Sequence, residues 1–268
     1  MEIRLEHLGF GYRGGSNVLE DINLVFDRPG LVCIIGPNGV GKSTLVRCIN
    51  GIYKPTSGDV YIDGTNTKGM KLKEIAQHIG YVPAASDECF SMPVMDAVMM
   101  GRYNHTKFRT SRRDVEVVHR AMNMLGIEEL SMRGFKELSA GQHQKVMIAR
   151  GLVAETEVLI LDEPTSNLDV RHQIYVTELL RAISEEQDKL ILMICHDLNI
   201  AAKYAHWIVV MESPGKIYCE GPPKDVITKE TLRHVYGVDS EIILDGDVPY
   251  VKLGFAYPDS EEIPEGGC

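Results

Sequence analysis

Apolar and polar side chains alternate with period two near the start of the chain, in the segments EIRLEHLGFGY and VLEDINLVF. The turn-forming sequence RGGSN lies between these two segments. Alternation with period two is typical of strands that bury one face. The pattern therefore predicts an N-terminal antiparallel β subdomain.

Continuous apolar runs replace this alternation at residues 31–35, 158–161 and 190–195. Such short runs are typical of parallel strands that are buried on both faces. A glycine-rich turn and a helix pattern that Gly51 caps follow the first run. Between the second and third runs, one face of a predicted helix carries Val176, Leu179, Leu180 and Ile183. Together these segments predict an α/β core with a parallel sheet.

The long segment between the first two core strands has few strand signals. Its apolar residues recur at helical spacing at Val118, Ala121, Met122 and Leu125. We therefore expect an α-helical subdomain, inserted in the core at about residues 84–150. The predicted division is a main domain at 1–240 and an acidic C-terminal extension at 241–268.

Composition and charge narrow the class of protein. The chain has 44% hydrophobic and 25% charged residues, which is typical of a globular fold. No apolar run approaches the roughly 18 residues of a membrane span, and charges interrupt the N-terminus where a secretory signal is apolar. The six cysteines form no CxxC pair, which argues against a zinc site and a disulfide framework.

The net charge of −10 is concentrated at the C-terminal end of the chain. From Asp239 onward there are eight acidic residues and one basic residue, Lys252, so the rest of the chain is close to neutral. We expect this acidic end to be a solvated appendix. The near-neutral remainder offers no basic surface for nucleic acid, so we expect no nucleic-acid partner.

Residues 36–44 read GPNGVGKST and fit the pattern GxxxxGK[ST] between a predicted strand and a predicted helix. This context favours a phosphate-binding loop over an ordinary glycine-rich turn. Its backbone N–H groups can converge on phosphates at a helix N-terminus, while Lys42 supplies a cation and Ser43 a hydroxyl for Mg²⁺. The residues predicted to bind ATP here are Asn38, Gly39, Gly41, Lys42, Ser43 and Thr44.

Two carboxylates, Asp162 and Glu163, follow the apolar run VLIL. We expect Asp162 to hold Mg²⁺ together with Ser43, and Glu163 to act as general base on the attacking water. Many buried strands end in acidic residues, so this pair alone is a weak signal. Combined with the phosphate loop, it predicts nucleotide hydrolysis.

Residues 138–142 read LSAGQ and end about twenty residues before Asp162. With this motif the chain resembles the ABC ATPase family, whose signature LSGGQ it matches at every position but Ala140. The resemblance runs from Tyr12 to about Gly237. It implies an α/β fold: a P-loop NTPase (RecA-like) core with an N-terminal antiparallel β subdomain and an inserted α-helical subdomain.

The resemblance also implies roles for individual residues. Ser139, Gly141 and Gln142 would bind the γ-phosphate of an ATP molecule held by a second copy of the chain. His196 would hydrogen-bond the γ-phosphate as a catalytic residue beside Glu163 and Lys42, although a lone histidine is more often structural. Tyr12 would stack on adenine, or else serve as a packing residue. Asp169, in the segment SNLD, would shape the dimer contact.

Ala84 departs from the family pattern. It stands where the family normally has a glutamine that touches Mg²⁺ and the attacking water and relays the nucleotide state to the membrane subunit. An alanine side chain neither donates nor accepts a hydrogen bond. The alternatives are a weaker hydrolytic coupling, or substitution by a neighbour such as Ser86 or Asp87.

The segments HDLNIAAKYA, EGPP, VYGV, MPVMDAV and GRY resemble the ATPases of importers for iron-siderophore complexes, haem and cobalamin. This resemblance implies a homodimer of ATPase subunits at the cytoplasmic face of the cell membrane, bound to integral membrane permease subunits and indirectly to an extracytoplasmic substrate-binding protein. Near residues 84–105, methionines would either line a groove for a permease helix or pack the helical subdomain. The rival interpretations are a soluble ABC ATPase without a membrane partner and a P-loop kinase of small molecules.

Overall fold

The computed structural model describes residues 1–12, 14–84, 92–105 and 110–257. The strands in this part of the chain are β1 Ile3–Gly11, β2 Asn17–Phe26, β3 Gly30–Ile35, β4 Ser57–Ile62, β5 Thr65–Asn66, β6 Ile79–Val82, β7 Val158–Leu161, β8 Leu190–Ile194, β9 Trp207–Glu212, β10 Lys216–Gly221, β11 Val238–Asp245 and β12 Val248–Ala256. The α-helices are α1 Lys42–Ile49, α2 Leu72–His78, α3 Val94–Met99, α4 Arg112–Met124, α5 Ala140–Leu152, α6 Val170–Glu186, α7 Leu198–Tyr204, α8 Pro223–Val226 and α9 Lys229–Tyr236.

The N-terminal strands form an antiparallel sheet in the order β2-β1-β4-β5. In β2 the alternate residues Ile22, Leu24 and Phe26 are buried, as expected for a strand that is covered on one face. Leu19 is also buried, and the register with β1 shifts by one residue between Leu19 and Ile22. The predicted antiparallel subdomain is therefore present.

A six-stranded sheet in the order β10-β9-β3-β8-β7-β6 forms the centre of the fold. Its strands β9, β3, β8, β7 and β6 run parallel, and β10 pairs antiparallel with β9 at the edge. All residues of β3, β7 and β8 are buried, so the three apolar runs are the buried strands that the sequence predicts. The observed β8 ends at Ile194, one residue before the predicted end.

Two apolar clusters cover the two faces of this sheet. Along β3, Val32 and Ile34 point into a cluster shared with the N-terminal sheet and α1. Leu31, Cys33 and Ile35 point into the other cluster, which α4, α5 and α6 complete. The loop after β3 is therefore anchored in a strand that is packed on both faces.

Within residues 84–150, the described stretches 92–105 and 110–150 hold the helices α3, α4 and α5, which pack on one another. Met92, Met95 and Met99 are partly buried against the larger apolar cluster, whereas Met100 is exposed. Packing therefore accounts for three of these four methionines. In the part of the chain that the structure describes, no helix is both long and apolar enough to cross a membrane.

The C-terminal strands β11 and β12 form a two-stranded antiparallel hairpin. It contacts α7, α8 and α9, and Val251 is buried in the main core. The expectation of a solvated appendix is corrected for residues 239–256: most of their side chains are exposed, but they form a hairpin that packs Val251 into the core. The predicted boundary after residue 240 falls within β11, and the division into domains stays a prediction.

Asn199 of α7 links the hairpin to the core through two hydrogen bonds. Its side chain accepts a hydrogen bond from the Val251 backbone N–H at 2.7 Å and donates to the Val251 carbonyl at 3.2 Å. We expect Asn199→Ala to lower the melting temperature by about 3 °C, because loss of the pair costs on the order of 1–2 kcal/mol. Asn104→Ala, which removes one exposed bond to Ala76, is the control, and equal shifts in calorimetry would contradict this role.

Candidate nucleotide-hydrolysis site

The loop at residues 36–41 connects β3 to α1 through glycines in conformations that other residues avoid. Gly36 has φ 150°, and a Cβ atom there would lie 2.4 Å from the Met211 carbonyl oxygen. Gly41 has φ 105°, and a Cβ atom there would lie 2.9 Å from Leu19. The loop backbone therefore needs glycine at both ends.

The N-terminus of α1 is free of side-chain capping. Its N-cap is Gly41, which has no side chain to accept from the first N–H groups, and no acidic residue lies in the first turn. Unpaired N–H groups at a helix N-terminus bind anions well. The loop, which includes Asn38 and Gly39, and the first turn of α1, which includes Thr44, therefore fit a phosphate.

Lys42 points back into the loop. Its Nζ donates to the carbonyl oxygens of Gly36 and Pro37, both at 2.8 Å. Burial lowers the pKa of Lys42, while the nearby carboxylates of Glu163 and Asp162 act in the opposite direction. An ammonium group has three donors, so one remains for a phosphate oxygen.

Asp162 follows β7 and is completely buried. Its backbone N–H donates to the Val82 carbonyl at 2.9 Å, which fixes the chain where β7 ends beside β6. Its Oδ1 accepts a hydrogen bond from the Ser43 hydroxyl at 2.8 Å. These two oxygens are adjacent and are the hard ligands that Mg²⁺ prefers, so the pair fits the predicted metal site.

Glu163 and His196 meet at the ends of neighbouring strands β7 and β8. The His196 Nε2 lies 2.7 Å from the Glu163 Oε1, and both side chains are partly exposed. Glu163 has φ 52°, a left-handed conformation that is unusual outside glycine. A carboxylate and an imidazole in direct contact beside the phosphate loop can share or transfer a proton.

Tyr12 lies just after β1 and is 50% exposed. Its ring meets Phe10 edge-on at 5.1 Å between centroids, and Phe10 stacks on Tyr53 at 5.1 Å. Half of the Tyr12 side chain therefore remains open to another planar group, so both the stacking and the packing interpretations fit its position.

The signature residues form the start of α5. Ser139 is the N-cap, and its hydroxyl accepts from the Gln142 backbone N–H at 3.3 Å, while the Gln142 side chain accepts from the Ser139 N–H at 3.0 Å. Together with Gly141 they line a cavity of about 390 Å³ whose other walls come from residues 126–130, Lys145 and the segment 167–172. No phosphate-loop residue is among those lining residues.

The structure thus brings together Lys42, Ser43, Asp162, Glu163 and His196, and places Ser139, Gly141 and Gln142 on a different surface. Asp169 caps α6 and accepts from the His172 backbone N–H at 2.9 Å. Ala84 lies two residues after the end of β6 and is half-buried. Ser86 and Asp87 lie outside the described residues.

Sequence reasoning missed Arg47 and Tyr81, which both reach Asp162. The Tyr81 hydroxyl donates to the Asp162 Oδ2 at 3.3 Å, and an Arg47 guanidinium nitrogen lies 3.6 Å from the same oxygen. Burial raises the pKa of Tyr81. The available signal was helical spacing, because Arg47 follows Ser43 by four residues and therefore shares its face of α1.

Comparison with known proteins places the chain in a family. Residues 19–166 match the family model described as ABC transporter. An ABC transporter ATP-binding protein of Methanocaldococcus jannaschii is 39% identical over 251 residues, which cover 94% of this chain and 97% of the relative. The ferric enterobactin transport ATP-binding protein FepC of Escherichia coli is 36% identical and covers 96% of each chain.

A solved structure shares the fold. The ATP-binding cassette MJ0796, in a dimeric post-hydrolysis state with ADP and Pi, superposes with a TM-score of 0.75 at 26% identity, over 82% of this chain and 98% of that one. The chain belongs to the ABC transporter ATP-binding family, whose members are ATPases. The predicted α/β P-loop NTPase fold is confirmed.

Proposed function

We propose that this chain hydrolyses ATP with Mg²⁺ at a site shared by two copies, and that closure of the pair drives import through membrane permease subunits. Two neighbouring contacts carry the catalytic part of the proposal. Ser43 and Asp162 contact each other directly, and the Glu163–His196 pair lies on the neighbouring strand ends.

The phosphate loop would bind the ATP phosphates. The backbone around Asn38, Gly39 and Gly41 would donate N–H groups to the phosphates. The Nζ of Lys42 would redirect one or more of its N–H donors from the carbonyl oxygens of Gly36 and Pro37 to the β- and γ-phosphate oxygens. Thr44 lies in the first turn of α1 and would add contacts at the same end. Tyr12 would stack on the adenine through its open face.

Ser43 and Asp162 would hold Mg²⁺, which when bound neutralises charge on the β- and γ-phosphate oxygens. Glu163 would then accept a proton from the attacking water. The His196 Nε2, which lies 2.7 Å from the Glu163 Oε1, would move its contact from that carboxylate to the γ-phosphate when ATP binds, which would leave Glu163 free to accept the proton. The half-exposed positions of both side chains allow water and substrate to reach them.

The signature surface would complete the site of a second copy. Ser139, Gly141 and Gln142 occupy the exposed start of α5, where N–H groups favour an anion. Because their cavity is lined by no phosphate-loop residue of the same chain, the nucleotide they contact would be held by the partner. A closed pair would then bind ATP more tightly than an open one, and only such a difference shifts the equilibrium.

The cargo and the membrane partner are proposed from relatives. FepC is named for ferric enterobactin transport, and FhuC of Bacillus subtilis for iron(3+)-hydroxamate import. We infer a metal chelate of the iron-siderophore, haem or cobalamin type as cargo, delivered by an extracytoplasmic binding protein. The ATPase pair would be peripheral at the cytoplasmic face of the membrane. The alternative is a soluble ABC ATPase without a permease.

Activity measured against protein concentration tests the shared site. We expect the specific ATPase rate to rise with concentration while light scattering shows ATP-dependent pairing. A constant specific activity from a strictly monomeric protein would refute the shared site and favour a kinase-like enzyme. Copurification with a permease would separate the importer from the soluble alternative.

Ala84→Gln is expected to raise the ATPase rate severalfold. A glutamine side chain there would supply the donor and acceptor that alanine lacks, and one oriented hydrogen bond is worth about 1 kcal/mol, or roughly fivefold in rate. The measurement is steady-state phosphate release at saturating ATP, with Ala84→Leu as a control for side-chain bulk. Equal rates for wild type and Ala84→Gln would show that Ala84 does not limit hydrolysis.

A further inference from the structure

The two oxygens of Asp162 have different partners. Oδ1 accepts from the Ser43 hydroxyl at 2.8 Å, on the side of the phosphate loop. Oδ2 accepts from the Tyr81 hydroxyl at 3.3 Å and lies 3.6 Å from the Arg47 guanidinium. A carboxylate that is held at one oxygen by a donor and a cation cannot rotate freely about its side-chain bond.

Tyr81 lies in β6, next to β7, so the two backbones hold the contact in register. Tyr81 pairs with Ile160, Val82 pairs with Leu161, and the Val82 carbonyl accepts from the Asp162 N–H. Three residues after Tyr81, Ala84 brings no polar side-chain group to this region. Strand β6 therefore provides a polar side-chain group to Asp162, the hydroxyl of Tyr81.

Arg47 braces the tyrosine. Its Nε lies 3.5 Å from the Tyr81 hydroxyl oxygen, at the long limit of a hydrogen bond, and another guanidinium nitrogen donates to the Tyr53 hydroxyl at 3.3 Å. The guanidinium also lies over the Tyr53 ring, 5.7 Å from its centroid. Arg47 is thus held between Tyr53, which lies next to Tyr12, and the buried carboxylate of Asp162.

We propose that Tyr81, braced by Arg47, is a positioning residue that fixes the rotamer of Asp162 so that its Oδ1 faces Mg²⁺ of the bound nucleotide beside Ser43. This inference rests on the proposed Mg²⁺-dependent hydrolysis of ATP. Tyr81 reaches Asp162 through Oδ2, whereas Ser43 contacts Oδ1, so the proposal gives Tyr81 no contact of its own with the nucleotide or the metal. Its effect is expected in the coupling between Mg²⁺ and nucleotide, and not in the binding of nucleotide alone.

The test compares the affinity for a fluorescent non-hydrolysable ATP analogue, mant-AMPPNP, in excess Mg²⁺ and in EDTA. The dissociation constant in EDTA divided by the dissociation constant in Mg²⁺ measures how strongly Mg²⁺ promotes nucleotide binding. For Tyr81→Phe we expect this ratio to fall about tenfold, as loss of one hydrogen bond to a charged group predicts, with the EDTA affinity unchanged. The Mg²⁺ concentration for half-maximal ATPase activity should rise by a similar factor.

Tyr204→Phe is the matched control. The Tyr204 hydroxyl also donates to a carboxylate, Glu178, at 3.0 Å, but this pair lies between α6 and α7, away from the phosphate loop. The Tyr204 side chain is buried and that of Tyr81 is partly buried. We expect its Mg²⁺-dependent ratio to equal that of wild type. Thermal melting of both variants reports any general loss of stability.

An unchanged ratio for Tyr81→Phe would overturn the inference. A parallel loss of affinity with and without Mg²⁺ would also overturn it, because it would show a structural role that has no link to the metal. A wild-type chain that hydrolyses no ATP in Mg²⁺ would instead refute the proposed function, so the two failures are distinguishable.

Discussion

Glu163→Gln is expected to lower the ATPase rate by a factor of about 10²–10⁴, the range that a general base contributes. The amide has nearly the size of the carboxylate but cannot accept a proton from water. ATP binding should remain, because the phosphate loop, Ser43 and Asp162 keep their contacts. Binding without hydrolysis should accumulate an ATP-bound pair of chains, visible as doubled mass in light scattering.

A second glutamate provides a matched control for this loss. Glu212 also contacts a histidine, with its Oε2 2.8 Å from the His234 Nε2, and it has similar exposure. Glu212→Gln therefore makes the same chemical change in a similar pair, whose histidine lies in α9 and not among the residues that contact Lys42, Ser43 or Asp162. If both variants hydrolyse ATP at the wild-type rate, Glu163 is not the general base. If both lose activity equally, the loss reflects the disruption of a histidine pair and not catalysis.

The sequence predicts the central sheet because its strands are buried on both faces. The runs that became β3, β7 and β8 contain only apolar residues, and a strand covered on both sides permits little else. The hairpin of β11 and β12 was not predicted as a packed element, since most of its side chains are exposed and its charges resemble those of a solvated tail. The buried Val251, the partly buried Val238 and Ile242, and the hydrogen bonds to Asn199 tie it to the core.

The residues of the candidate site also divide into those that the sequence reveals and those that only the fold brings together. Residues in contiguous motifs, such as Lys42 and Ser43, could be found because a phosphate loop needs a fixed local spacing. Tyr81 and Arg47 come from two separate segments, and their common contact is Asp162, which lies far along the chain. That convergence depends on the order of β6 and β7 in the sheet, which spacing along the sequence does not reveal.

Mixing two inactive variants is expected to restore activity if the signature acts on a partner's nucleotide. Lys42→Ala disables the phosphate loop, and Gly141→Asp places a carboxylate where the partner's γ-phosphate would bind. Each variant alone should lose at least about 10²-fold in rate, as removal of an oriented charge or donor does. The folded chain should tolerate Gly141→Asp, because a Cβ atom there meets Leu168 at 3.4 Å and acidic groups suit the first turn of a helix.

In an equal mixture, half of the randomly formed pairs contain one chain of each kind. In such a pair one site combines both defects, and the other combines the intact phosphate loop of one chain with the intact signature of its partner. Recovery of about a quarter of the wild-type rate is expected if the two sites act independently, and less if hydrolysis at one site requires an intact second site. A signature that acted within its own chain would leave every site with one defect, so a mixture with no activity above that of its components would refute the shared site.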